Sequence, residues 1–257
     1  MRVATWNVNS LRARLPHLLG WLAQAAPDVV GVQETKCTDE QFPFSEIEAA
    51  GYTALHHGQK TYNGVALLVR AGLAAEDPCR GMACFADEQS RVIAATVAGV
   101  RMVNVYVVNG QSVGSDKYAY KLRWLAGLRE YLAGELARHP RLLVTGDYNI
   151  APADADVHDP AAWAGQVLCS EPERAEFRGV LGLGLQDAFR LFEQPHPSYT
   201  WWDYRQAAFR RNLGLRIDHI LVTPALAAEA RRCWIDLDPR RLERPSDHAP
   251  VLLEIGS

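Results

Sequence analysis

Apolar residues in this chain fall into short β-like runs separated by stretches of helical periodicity, and the runs end alike, in polar residues. Val3-Ala4-Thr5-Trp6 opens the chain and passes into Asn7 and Asn9. Leu11, Leu15, Leu18, Leu19 and Leu22 follow at a spacing that predicts an amphipathic helix. Val29-Val30-Gly31-Val32 predicts a second strand, which runs into Gln33-Glu34-Thr35-Lys36. Further β runs cover Gly64–Val69, Val92–Val97 and Met102–Val108, and the short turns between them predict antiparallel pairing.

From about Ser115 to Arg138, Tyr118, Leu122, Leu125, Leu128, Leu132 and Leu136 recur at helical spacing, and Pro140 closes the pattern. A buried strand, Leu142-Leu143-Val144-Thr145, then ends at Gly146-Asp147-Tyr148-Asn149, repeating the arrangement seen at the N-terminus. Segment 151–172 carries Pro152, Pro160 and Pro172 with Asp154, Asp156 and Asp159, which reads as a long loop of a size that usually serves function. A helix is predicted at about 172–182, and β runs at Tyr199–Trp202, Arg216–Val222 and Pro250–Ile255. No low-complexity linker divides the chain, so the expectation is one domain over 1–257, built of two α/β halves whose sheets face each other.

Composition supports a folded chain: 48% of the 257 residues are hydrophobic, and 27 basic against 30 acidic residues leave a net charge of −3, the reverse of a disordered profile. No apolar run approaches the roughly 18 residues of a membrane span, and Met1-Arg2-Val3 starts a strand instead of a signal peptide. A soluble, cytoplasmic protein without a membrane partner is expected. Five cysteines, odd in number and without a Cys-x-x-Cys pair, fit reduced thiols better than disulfides or zinc. Arginines recur through 205–244, and a mildly acidic chain can still carry a local basic face.

The chemistry sits at the strand ends. Asn7, Glu34, Asp147, Asn149, Asp218, Asp247 and His248 each flank a predicted strand, and packed sheets would bring such ends to one rim. Carboxylates are hard oxygen ligands suited to Mg²⁺ or Mn²⁺, and phosphoryl chemistry follows from such a set. Asp218 could orient the His248 imidazole through its second nitrogen. A Ser-His-Asp acyl hydrolase using Ser246 or Ser10 would lack a Gly-x-Ser-x-Gly elbow.

Six motifs occur in an order that resembles the exonuclease III family of apurinic/apyrimidinic endonucleases. They are Trp6-Asn7-Val8-Asn9, Gln33-Glu34-Thr35-Lys36, Gly146-Asp147-Tyr148-Asn149-Ile150, Trp201-Trp202-Asp203-Tyr204-Arg205, Gly214-Leu215-Arg216-Ile217-Asp218 and Ser246-Asp247-His248-Ala249-Pro250. The resemblance spans the chain and implies a deoxyribonuclease I-like fold, a four-layer α/β sandwich of two facing mixed β-sheets flanked by helices. It makes Glu34 the principal metal ligand, assisted by Asn7 and Asp247, with Mg²⁺ or Mn²⁺ as cofactor. It gives Asp147 the attacking water, has Asn149 hold Asp147 and a phosphate oxygen, and has Tyr106 and the Asp218-paired His248 reach the phosphate. By residue type, Asp147 as general base and a His248 base with Asp147 as metal ligand both remain open.

For substrate, the resemblance places Trp201 and Leu215 around an abasic sugar held outside the duplex. It gives DNA phosphates to Lys36, Lys60, Arg91, Asn109 with the Gly110 backbone, and Lys121. Two features depart from the family pattern: Tyr106 is followed by Val107-Val108-Asn109-Gly110 without the usual proline, and loop 153–171 carries no strong motif although it would lie over the DNA. A bulky side chain in that loop would favour 3′-end trimming over internal incision. The expected protein is therefore a monomeric, metal-dependent nuclease on double-stranded DNA containing abasic sites or blocked 3′ ends. The alternatives are a 3′-end exonuclease with little abasic endonuclease activity, a phosphomonoesterase or lipid phosphodiesterase, and a non-catalytic nucleic-acid-binding regulator.

Overall fold

A computed structural model describes residues 1–256. Twelve strands form two six-stranded sheets. The first sheet has the order β11-β12-β1-β2-β4-β3 and the second β5-β6-β7-β8-β10-β9. The strands are β1 (Arg2–Asn7), β2 (Val29–Gln33), β3 (Tyr52–His57), β4 (Val65–Arg70), β5 (Ala75–Arg80), β6 (Val92–Val97), β7 (Val100–Tyr106), β8 (Leu142–Asp147), β9 (Gln186–Asp187), β10 (Asp218–Val222), β11 (Ala230–Ile235) and β12 (Val251–Ile255). The helices are α1 (Leu11–Ala25), α2 (Phe44–Ala49), α3 (Asp116–Arg138), α4 (Pro160–Trp163), α5 (Glu171–Leu181) and α6 (Pro224–Glu229). Both sheets are mixed: β1 runs parallel to β2 and β7 parallel to β8, while the remaining pairs are antiparallel.

Alternation along each central strand builds three apolar layers. Val3, Val29, Leu67, Ile93, Met102, Leu143 and Ile220 point between the sheets. Their neighbours Ala4, Trp6, Val30 and Val32 meet α1 and α2 through Leu18, Trp21, Leu22 and Ile47. On the far side, Val103, Val105 and Val144 meet α3 and α5 through Trp124, Leu128, Leu132, Phe177 and Val180. The central strands are buried on both faces, which is why they read as continuous apolar runs in the sequence.

The space between the sheets carries one polar layer beneath the site. Gln33 Nε2 donates to Asn104 Oδ1 (2.6 Å) and Thr5 Oγ1 (2.9 Å), and Asn104 Nδ2 donates to the carbonyls of Val32 and Ala66. Gly31 lets the sheets approach here, since a Cβ on it would lie 2.5 Å from Thr145 Oγ1.

Several expectations need correction. β6 and β7 pair antiparallel, but β4 lies in the other sheet between β2 and β3. The Tyr199–Trp202 run is no strand and makes only isolated bridges at Trp201. The halves also interleave: β11 and β12 return from the C-terminal quarter to join β1 in the first sheet. β3, β5, β9 and β11 escaped the periodicity because they are short or carry charged, proline-interrupted sequences such as Ala75-Glu-Asp-Pro-Cys-Arg80. Segment 151–172 is a long connection that contains α4 and a 3₁₀ turn at Asp154–Asp156. No helix among the described residues is long and apolar enough to cross a membrane.

Candidate active site

Strand register brings the polar ends together. In the second sheet Asp147 lies opposite Tyr106 on one side and Asp218 on the other, so three site residues occupy one rung. In the first sheet Asn7 ends β1 beside Gln33 at the end of β2. Asn7 then spans the two sheets, with Nδ2 donating to Glu34 Oε1 and Asp147 Oδ2, both at 2.8 Å. Several residues of this rim hold left-handed backbone: Asn9 (φ 43), Glu34 (φ 54), Lys36 (φ 52) and Asn149 (φ 49). Non-glycine residues in that region cost free energy and persist where surrounding contacts hold them, a recurrent property of active sites.

Glu34, Asp147 and His248 each offer a ligand atom, all within 4.8 Å of one another. Asp147 is buried, with Oδ1 accepting from the Asn149 backbone N–H (2.8 Å) and Oδ2 accepting from the Asn149 amide (3.3 Å). Burial pushes its carboxyl up, aided by Asp218 and Glu34 and opposed by His248 and Asn7, to about 7. His248 Nδ1 lies 2.9 Å from Asp218 Oδ2, which leaves Nε2 facing Asp147 Oδ2 at 3.8 Å. Burial disfavours the charged ring, but the carboxylates of Asp218 and Asp147 outweigh it and raise His248 to about 10. Tyr106 is pushed well above its usual range by burial and by Glu34 and Asp147, so its hydroxyl stays protonated and can donate.

These donors fit a small divalent cation. Glu34 and Asp147 present hard oxygens to one space, and Lys36 Nζ already pairs with Glu34 Oε2 at 2.8 Å, so the position favours positive charge.

Other predicted residues behave differently from expectation. Asn7 bridges the sheets as a donor to Glu34 and Asp147, while its amide oxygen accepts from the Asn9 backbone N–H (2.9 Å). Asp247 stands outside the ligand group: Oδ1 accepts from Asn9 Nδ2 (2.9 Å) and Oδ2 from Trp201 Nε1 (3.0 Å). Lys121, expected on a DNA phosphate, is fully buried. Its ammonium pairs with Glu173 and donates to the carbonyls of Asn149 (2.7 Å) and Asn109 (3.2 Å), so no phosphate can reach it. Arg91 is also buried, stacked at 4.8 Å over the Tyr106 ring and donating to the Tyr106 carbonyl, so it supports Tyr106 and does not face solvent. Leu215 has no exposed surface: Val157 and Trp201 bridge to it, and Leu168 and Cys169 pack in the same cluster. Segment 151–172 thus covers the position that an open sugar pocket would need.

Trp201 is half-buried, while Asn109 is exposed with its amide donating to Asn149 Oδ1 (3.1 Å). Lys60 is exposed, and Lys36 is held on Glu34 and Asn9. Sequence reading assigned no role to Asn9, which joins Asn7, Lys36 and Asp247. Its place two residues beyond a strand end beside Asn7 was the available signal.

Comparison with known proteins agrees with this arrangement. Residues 4–248 match the model of the endonuclease/exonuclease/phosphatase family. Exodeoxyribonuclease III of Haemophilus influenzae is 36% identical over 99% of both chains. A 3′ phosphatase from Neisseria, solved with a product DNA hairpin, is 48% identical with a TM-score of 0.96 over the full length of both chains. An AP endonuclease from Archaeoglobus fulgidus is 36% identical with a TM-score of 0.95, again over both full chains. Facing mixed sheets, a carboxylate-imidazole rim and a match from strand β1 to His248 lead to one assignment: the chain belongs to the endonuclease/exonuclease/phosphatase family.

Proposed function

We propose that the protein is a divalent-metal-dependent DNA repair nuclease, acting on the 3′ ends of duplex DNA and on the phosphodiester 5′ to abasic sites. The observation that carries this is the convergence of Glu34, Asp147 and the Asp218-paired His248 at one sheet rim. Hydrolysis of a phosphate ester builds negative charge on the non-bridging and leaving oxygens. Glu34, with Asp147 beside it, would hold Mg²⁺ or Mn²⁺, which when bound draws charge off a phosphate oxygen. His248, charged at neutral pH, donates from Nε2 toward the same space, and the Tyr106 hydroxyl can donate from the strand beside Asp147, on the same rung. Asp147, held by Asn149 and Asn7 with a carboxyl near neutrality, takes the proton of the attacking water.

One observation favours a narrower reading. Leu215 is fully buried under Val157 and Leu168, so an abasic sugar has no open seat against it. This supports 3′-end trimming, as phosphatase and exonuclease, with little internal incision. The test is incubation with Mg²⁺ of three labelled duplexes, carrying an internal abasic-site analogue, a recessed undamaged 3′ end and a 3′-phosphate, each with an EDTA control. EDTA-sensitive cutting of the first establishes abasic incision, and reaction at the second and third only establishes the narrower reading. Reaction at none refutes the proposal.

A further inference from the structure

Glu34 reaches the rim from a short, strained segment. Glu34 (φ 54) and Lys36 (φ 52) hold left-handed backbone on either side of Thr35, a conformation that surrounding contacts must maintain. Main-chain bonds supply part of the hold: the N–H groups of Ser10, Leu11, Thr35 and Lys36 donate to the carbonyls of Glu34 (2.8 Å), Thr35 (3.1 Å), Gly64 (3.1 Å) and Asn63 (2.9 Å). A side-chain tie completes it. Thr35 Oγ1 lies 2.8 Å from Nε2 of His56, on β3, and both residues are buried. We propose that His56 is a positioning residue for the metal site: through Thr35 it fixes the backbone that aims Glu34, and so sets the affinity for the divalent cation. This rests on the reading above that Glu34 holds the metal, and goes beyond it by assigning work to a buried histidine outside the rim.

His56 is itself held on every side. Its ring lies against Phe42, with centroids 4.2 Å apart and planes at 32°. Nδ1 lies 2.8 Å from Asp39 Oδ1, although the ring N–H is poorly aligned with that oxygen. Asp39 is anchored in turn: Oδ1 accepts from the Gly58 backbone N–H (2.9 Å), and Oδ2 pairs with Arg80 (3.1 Å) of β5 in the second sheet. Two glycines make room for the Thr35–His56 pair. A Cβ on Gly64 would lie 2.0 Å from Thr35 Oγ1, and one on Gly58 2.3 Å from His56 Cε1, so both side chains pack directly on main chain.

Proton placement gives the contact a direction. Burial lowers His56 to about 4, outweighing Asp39, so the ring is neutral near pH 7. The Asp39 carboxylate favours the proton on Nδ1, which leaves Nε2 to accept from the Thr35 hydroxyl. Thr35 is β-branched and stiff at χ1, so fixing its hydroxyl also fixes the main chain beside Glu34. Without the tie, segment 34–36 is free to relax toward ordinary backbone, and Glu34 loses its seat between Asn7 Nδ2 and Lys36 Nζ, each 2.8 Å from one of its oxygens. Groups that orient a metal ligand from behind typically change affinity about 10- to 100-fold when removed, and His56, one residue further back, should sit near the lower end.

The test measures Mn²⁺ binding to the full-length protein without DNA, from the electron paramagnetic resonance signal of the free ion, with unfolding midpoints in parallel. His56→Phe keeps a ring against Phe42 but cannot accept a hydrogen bond, and Thr35→Val removes only the hydroxyl. Both are expected to weaken Mn²⁺ binding about tenfold, while His56→Gln, whose amide oxygen can stand in for Nε2, stays within about threefold of the parent. The Mg²⁺ concentration for half-maximal turnover of a 3′-phosphate duplex should rise by the same factor, with duplex affinity in EDTA unchanged. Parent-like Mn²⁺ affinity in Thr35→Val or in a folded His56→Phe, whatever the change in stability, overturns the inference and leaves the nuclease reading intact. Equal weakening in His56→Gln also overturns it, because the acceptor would then be irrelevant. Should His56→Phe fail to fold, Thr35→Val decides alone. Failure of the parent protein to bind Mn²⁺ overturns both the inference and the metal reading on which it rests.

Discussion

Lys121 gives the sharpest single test, because its sequence reading and its position in the fold predict opposite results. The perturbation is Lys121→Met, which keeps the length and volume of the side chain and removes the ammonium. In the structure that ammonium has no solvent exposure and bonds to Glu173, to the Asn149 carbonyl at 2.7 Å and to the Asn109 carbonyl at 3.2 Å. Its loss leaves the buried Asn149 carbonyl without that donor, worth about 1–3 kcal/mol, and leaves the Glu173 carboxylate without its counter-charge. Breaking a buried pair from one side costs about 3–5 kcal/mol in total. Urea unfolding followed by tryptophan fluorescence should show a loss of that size. The double variant Lys121→Met/Glu173→Gln should be more stable than the single one, because the uncompensated charge is gone. A phosphate contact would add about 0.9 to the slope of log affinity against log salt. The expected slope for DNA binding by Lys121→Met equals that of the parent protein. A destabilisation below about 1 kcal/mol, together with a slope reduced by about one, would refute the assignment of Lys121 to the structural framework.

Three further outcomes follow from the site and its surroundings. Asp147→Asn should abolish turnover while leaving duplex binding largely in place, and cutting at the parent rate would remove Asp147 from the proposed chemistry. Asp218→Asn takes the counter-charge from His248 Nδ1, 2.9 Å away, so turnover should fall roughly 10²- to 10³-fold with little change in duplex affinity. His219 is buried neutral, with Nε2 donating to the Ile150 carbonyl and Nδ1 accepting from Arg216, and burial together with the Arg216 charge lowers it from 6.5 to about 4. The unfolded chain therefore binds the extra proton first, and the stability present above pH 6.5 is lost as pH falls toward 4. Between pH 6.5 and 5 this amounts to about 2 kcal/mol, which denaturant titrations of the parent and His219→Gln proteins should show as a difference in pH slope.

The central strands, the long amphipathic helix and the identity of the polar rim were legible in the linear pattern. Residues such as Val3, Val30 and Leu143 lie in layers buried on both sides, so their apolar runs are unbroken, and a run that stops at Asn7, Glu34 or Asp147 marks where backbone leaves the core. Edge elements were illegible because their residues face solvent on one side and carry little periodic signal, as in Ala75–Arg80. Pairing partners were illegible for a different reason: β4 and β6 look alike as apolar runs, and only the packing of the two sheets assigns them to opposite layers.

What each polar side chain touches was set by packing in three dimensions. Lys121 and Arg91 have the composition of surface cations, yet the carboxylate of Glu173 and the face of Tyr106 draw them inside, where a phosphate cannot follow. Asp247 has the chemistry of a metal ligand, but Asn9 and Trp201 occupy both its oxygens. Leu215 sits within a recognisable motif, yet its exposure depends on Val157 and Leu168, which arrive from a segment more than forty residues earlier in the chain. Hydrogen bonding and burial are set by atoms brought together from distant positions, so a linear pattern specifies the chemical inventory of the rim while three-dimensional packing assigns each group its work.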